Sequence, residues 1–142
     1  MASVRVEVRV QLSAGAVWEA IADVGAVHRR LLPGRVADAR LEGDTRILTM
    51  PGGSVVRELI LAVDHEARRM AYAVVGGQRM PLAFHHASFQ VFDEGAGSRL
   101  VWITDVLPHD AAQVVRPRVQ RAIEEMKRAL ERGAGHGVGS DG

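Results

Sequence analysis

Val4, Val6, Val8 and Val10 alternate with Arg5, Glu7, Arg9 and Gln11. A two-residue period puts the valines on one face of a strand and the polar residues on the other. Ser13 stands where a helix needs an N-cap, and Val17, Ala20 and Ile21 then share one stripe of a helix over 14–23. Gly25 interrupts, and a second short helix is expected over 26–32, ahead of Pro33. Strands follow over 35–43 and 45–50, around a Gly43-Asp44 turn. After a Pro-Gly-Gly loop at 51–53 come strands over 54–64 and 70–77, and a loop over 76–81. Strands over 82–92 and 99–107 make a final hairpin around the Asp93–Ser98 loop. Asp110 is placed to cap the longest helix, about 111–132, where Val115, Val119, Ala122, Met126 and Leu130 recur at spacings of three and four. Pro117 lies inside that helix and should bend it or end its first turn.

The order is one strand, two short helices, six strands and a long helix. Consecutive hairpins make an antiparallel sheet. The last helix is the only long amphipathic element, so it must cover the sheet's apolar face. One helix cannot fill a strongly curved seven-stranded sheet, and a cavity between the two follows. The predicted fold is α+β, with an internal cavity. The domain spans 1–132. Residues 133–142, rich in glycine with nothing to bury, read as a disordered tail.

Composition narrows the function. The chain of 142 residues suits one domain, and its 47% hydrophobic and 25% charged residues are ordinary for a globular protein. A net charge of +1 and only six aromatics (three Phe, two Trp, one Tyr) argue against a nucleic-acid partner. With no cysteine, disulfides, zinc-thiolate sites and thiol nucleophiles are excluded. The N-terminus lacks the apolar run of a signal peptide, and no stretch approaches the roughly 20 apolar residues of a membrane helix. A cytoplasmic protein with no membrane partner is expected. Lys127 is the only lysine, a bias that reads as GC-rich coding.

Three stretches in order, "SAGAVWEAIADVGAV", "TRILTMPGGSVVRELILAVDHEARRMAYAVVGG" and "RLVWITDVLP", resemble the START/Bet v1-like superfamily, in particular its polyketide cyclase/dehydrase-type branch. The resemblance covers about residues 3–131. It implies a helix-grip fold, a sheet wrapped around a long C-terminal helix. The middle stretch also resembles the plant abscisic-acid receptors, whose gate loop is shaped like "MPGGS" and whose latch loop is shaped like "GGQRMPL". By that resemblance Glu58 matches a pocket carboxylate and Phe84 a pocket aromatic. The receptors' hormone-binding lysine has no counterpart, and Arg79 stands where their latch histidine would be, so hormone binding is not implied. Some aromatase/cyclase relatives place a histidine where His86 falls, with an arginine from an upstream strand for which Arg57 is the nearest candidate.

The stretch "FHHAS" poses the sharpest question. Strand geometry sends His85 and His86 to opposite faces. If Phe84 faces the cavity, so does His86, whose ordinary pKa suits acid–base work. Ala87, Phe89 and Val91 are the more apolar set, however, and without a β-bulge His85 is the inward residue. A core histidine bonded to a carbonyl or carboxylate is the plain alternative. The two rings cannot share one metal ion without a bulge, and neither a metal nor an organic cofactor is expected. Arg57 and Glu58 also take opposite faces, and only the resemblance puts Glu58 inside, where burial would raise its pKa. A surface ion pair is its plain alternative. Asp105 faces away from Trp102 and could serve a histidine or cap backbone amides. Catalytic candidates are His86 and Glu58. The expected ligand wall is Met50, Glu58, Ile60, Tyr72, Met80, Phe84, His86, Trp102, Val115 and Val119. For the methionines and Trp102, core packing competes with this role.

Three functions fit. The first is a protein that binds a hydrophobic small molecule, polyketide-, lipid- or aromatic-like, in the cavity. The second is a polyketide cyclase, aromatase or dehydratase in which His86 removes an α-proton and a cavity carboxylate assists. The third is an interaction protein with a collapsed cavity, against which stand the small residues Gly52, Gly53, Ser54, Gly76 and Gly77. A homodimer stays open beside the monomer.

Overall fold

The computed structural model describes residues 2–77 and 82–141, with side chains through 133. Strand β1 (Ala2–Val10) alternates buried and exposed residues without a break, with Val4, Val6, Val8 and Val10 inward. Burying each valine is worth about 1.5–3 kcal/mol, which fixes the strand's face. Helix α1 (Ala14–Ala22) starts at Ser13, whose hydroxyl accepts the Ala16 N–H at 3.2 Å. Its buried stripe adds Trp18 to Val17, Ala20 and Ile21. The Trp18 indole N–H donates to His65 Nδ1 at 3.1 Å and so ties the helix to a distant strand turn.

The second helix is shorter than the pattern predicts. A 3-10 turn over Val24–Ala26 leads into α2 (Val27–Arg30). The Leu32 carbonyl then accepts from Arg35 and Val36, which turns the chain and delays strand β2 to Asp38–Glu42. Strands β3 (Thr45–Thr49), β4 (Val55–Asp64), β5 (Arg69–Gly76), β6 (Phe84–Glu94) and β7 (Gly97–Leu107) follow. The sheet is antiparallel in the order β1-β7-β6-β5-β4-β3-β2, so the first strand returns to pair with the last. The β6–β7 hairpin is tighter than expected. Glu94 pairs with Gly97 across a two-residue turn, with Gly95 at φ 61°, and the strands absorb the rest of the Asp93–Ser98 loop.

A 3-10 turn over His109–Ala111 precedes α3 (Ala112–Asp141). Asp110 therefore lies inside that turn, and its side chain makes no capping bond among the described residues. The helix runs longer than the predicted 111–132, and among the described side chains, which run through Gly133, the last buried one is Leu130. Val115, Val119, Ala122, Met126 and Leu130 are all buried, joined by Ile123. Pro117 sits in the second turn without ending the helix. The α3 stripe, α1 and α2 together close the concave face of the curved sheet, a helix-grip arrangement.

Candidate functional site

Between the sheet, α2 and α3 lies a cavity of about 230 Å³. Most of its wall is apolar, with Leu31 and Leu48 at one side, Met70 and Phe89 from the sheet, and Val115, Val119 and Met126 from α3. Phe89 stacks on Trp102, ring centroids 4.7 Å apart, and on Tyr72 at 6.4 Å. These three rings, contributed by β5, β6 and β7, form one aromatic surface.

Six polar or charged side chains, Arg35, Arg46, Glu58, Tyr72, His85 and Arg118, break this wall. Register places Arg46 of β3 directly opposite Glu58 of β4. Glu58 Oε1 accepts from Arg46 Nε at 2.8 Å and lies 2.6 Å from Nη2. Both side chains are over 90% buried. Arg46 also donates to the Val24 carbonyl at 3.2 Å and lays its guanidinium 5.3 Å from the centre of the Tyr72 ring. Burial pushes the Glu58 carboxyl above its ordinary range, while the charge and hydrogen bonds of Arg46 pull it back. Both contacts end on the same carboxylate oxygen, Oε1, and the two opposite charges neutralise each other within the apolar wall.

Tyr72 is different. Burial first, and the Glu58 charge second, push its hydroxyl well above the ordinary value, so it stays protonated and can donate. The indole N–H of Trp102 lies beside that hydroxyl and favours its phenolate weakly, yet reaches no hydrogen bond of ordinary geometry. Orphaned buried donors of this kind are rare in native proteins. His85 lines the cavity too, and burial, then the neighbouring His86, lower its pKa. It is a neutral imidazole at neutral pH, with no hydrogen-bond partner among the described residues.

His86 does not face this cavity. β6 pairs with β7 in unbroken register from Phe84 to Glu94, so no bulge rescues the expected phase. The apolar set Ala87, Phe89 and Val91 turns inward and takes His85 with it. His86 lies on the outer face, its Nδ1 3.5 Å from Asp105 Oδ2, with Phe84 stacked on it at 6.3 Å. Asp105 accepts a hydrogen bond from Ser3 as well. Phe84 is exposed at 38% and is likewise outside the cavity. Ile60 points inward but packs at the edge of the core, away from the cavity wall. Met80 lies outside the described residues. Met50, Glu58, Tyr72, Trp102, Val115 and Val119 line the cavity.

Arg46 is not among the residues expected from the sequence. A signal for it exists, because Arg46, Leu48 and Met50 share one strand phase and Met50 is expected inward. Arg57, the expected arginine companion, is exposed. Among the described residues no three histidines or carboxylates converge as a metal site would need.

The sequence profile of the family described as polyketide cyclase/dehydrase and lipid transport matches residues 1–133. No curated protein sequence matches the chain. Solved structures share the fold at low identity. The protein XoxI from Bacillus cereus superposes with a TM-score of 0.81 at 17% identity, over 94% of this chain and 95% of its own. A START superfamily protein from Mycobacterium smegmatis gives 0.72 at 15% identity, over 92% and 95%. Norcoclaurine synthase from Thalictrum flavum, solved with dopamine and hydroxybenzaldehyde, gives 0.70 at 21% identity, over 94% and 86%.

Proposed function

This chain belongs to the polyketide cyclase/dehydrase and lipid transport family, and we propose that its cavity binds a small hydrophobic molecule carrying a hydrogen-bonding oxygen. The observation that carries this reading is the contrast between satisfied and unsatisfied polar groups on one apolar wall. Arg46 and Glu58 neutralise each other's charge. The Trp102 indole N–H has no acceptor of ordinary geometry, and His85 has no partner among the described residues. A buried donor left without an acceptor costs about 1–3 kcal/mol, which a ligand oxygen would recover. Apolar walls supply affinity and a few such groups supply orientation.

The two tryptophans provide the test. Trp18 already donates to His65, outside the cavity, whereas Trp102 lies on its wall. In ¹H–¹⁵N spectra, single-ring or short-chain ketones and alcohols should move the Trp102 indole signal and leave that of Trp18 in place. If no compound moves Trp102, or both signals move alike, the proposal fails.

A second reading, acid–base chemistry on the bound molecule, draws support from His85. The expected base His86 is on the wrong face, but His85 is neutral and beside the cavity. A base must be unprotonated, so turnover of a β-keto thioester should fall only as pH drops through the lowered pKa, below the ordinary 6.5. His85→Gln should abolish it and His86→Gln should not. Turnover that survives His85→Gln would remove this reading.

A further inference from the structure

We infer that the cavity's ligand is a small organic acid whose carboxylate is held at the mouth by Arg118. This rests on the reading that the cavity binds a small molecule and adds the ligand's charge and size. Among the described residues three arginines line the cavity, Arg35, Arg46 and Arg118. Arg46 is neutralised by Glu58. Arg35 is held by Glu125 of α3, with Nε at 3.1 Å and a shorter contact from Nη2. Arg118 has no carboxylate or other partner among the described residues. Glu58 is the only carboxylate those residues place on the wall and is already matched, so one positive charge is left over where the cavity meets solvent.

The placement of that charge suits a ligand. Arg118 stands one turn beyond Val115 and next to Val119, both on the wall. The residue is exposed and also lines the cavity, and an arginine at an apolar boundary keeps its charged head in water. A guanidinium presents a planar fork that matches a carboxylate with two parallel hydrogen bonds. A neutral ligand would leave this group to water, whereas an acid would pair it without disturbing the Arg46–Glu58 bond. The volume sets the size. Benzene fits a cavity of roughly 150 Å³, so about 230 Å³ accommodates one ring with a short chain.

3-Phenylpropanoate and 3-phenylpropan-1-ol differ mainly in charge and serve as the probes. Their affinities are measured by calorimetry at low salt for the wild type and for Arg118→Gln, with the Trp102 indole signal reporting cavity occupancy. Both should move that signal. The acid should bind about tenfold more tightly than the alcohol to the wild type. Arg118→Gln should weaken the acid to the level of the alcohol and leave the alcohol unchanged. Equal affinities in the wild type, or an acid preference that persists in Arg118→Gln, would overturn the role of Arg118 and leave cavity binding standing. If neither probe moves Trp102, the binding reading and this inference fall together.

Discussion

Removing Arg46 while keeping Glu58 would strand a carboxylate in an apolar wall. Breaking a buried pair from one side costs about 3–5 kcal/mol, because the remaining charge loses its only compensation. Replacing both partners by apolar groups costs far less. Arg46→Met and Glu58→Leu should therefore each destabilise strongly in urea denaturation, and the double variant should be more stable than either. Additive losses would show that the two side chains act independently. At this scale the sequence is only partly legible. Glu58 lies in a run, "LILAV" beyond it, that is apolar on both faces, so periodicity does not orient it. Its register partner Arg46 decides the matter, and register between strands is not written in either strand alone. His85 and His86 show the same limit. The apolar phase of Ala87, Phe89 and Val91 points to His85, whereas the family resemblance points to His86. The local pattern is the better guide, because burial of three apolar side chains outweighs the preference of one imidazole.

At the scale of elements, turns set where the cavity wall ends. Gly77, just after β5, has φ +76°, and a Cβ there would lie 1.9 Å from the Val55 carbonyl oxygen of β4. Gly43, in the β2–β3 turn, has φ +60°, and a Cβ there would meet nothing within 4 Å. Left-handed backbone costs a non-glycine residue about 1–3 kcal/mol. Gly43→Ala should show only that cost. Gly77→Ala should lose more and loosen the end of the β4–β5 pair beside Glu58, seen as faster amide exchange at 55–58. Equal losses in the two variants would mean that the close approach at Gly77 carries no weight. The strands and helices themselves are legible because their apolar periods are strong, as in β1 and along α3. Their ends are less so. The pattern of "RVADARLEG" does not reveal that Leu32 turns the chain through Arg35 and Val36, and a six-residue loop looks the same in sequence as a two-residue turn flanked by longer strands.

For the whole molecule, the cavity follows from geometry. A curved seven-stranded sheet has more concave surface than one amphipathic helix can fill, and the two short helices after β1 close only part of the remainder. The space left is about 230 Å³, below the roughly 300 Å³ at which most ligand pockets begin. A small ligand fits it better than a long polyketide or lipid chain. The existence of a cavity is foreseeable from element order. Its size is not, because that depends on how Met70, Phe89, Trp102 and Met126 pack against one another.

The most direct test of cavity binding is native mass spectrometry of the freshly purified protein, followed by exposure to a mixture of single-ring and short-chain acids, alcohols and ketones. A one-to-one adduct with small members of the mixture, absent from a variant whose cavity is filled by Val119→Phe and whose melting transition is intact, is the expected result. An unliganded mass throughout, or adducts that persist unchanged in the filled variant, would contradict it.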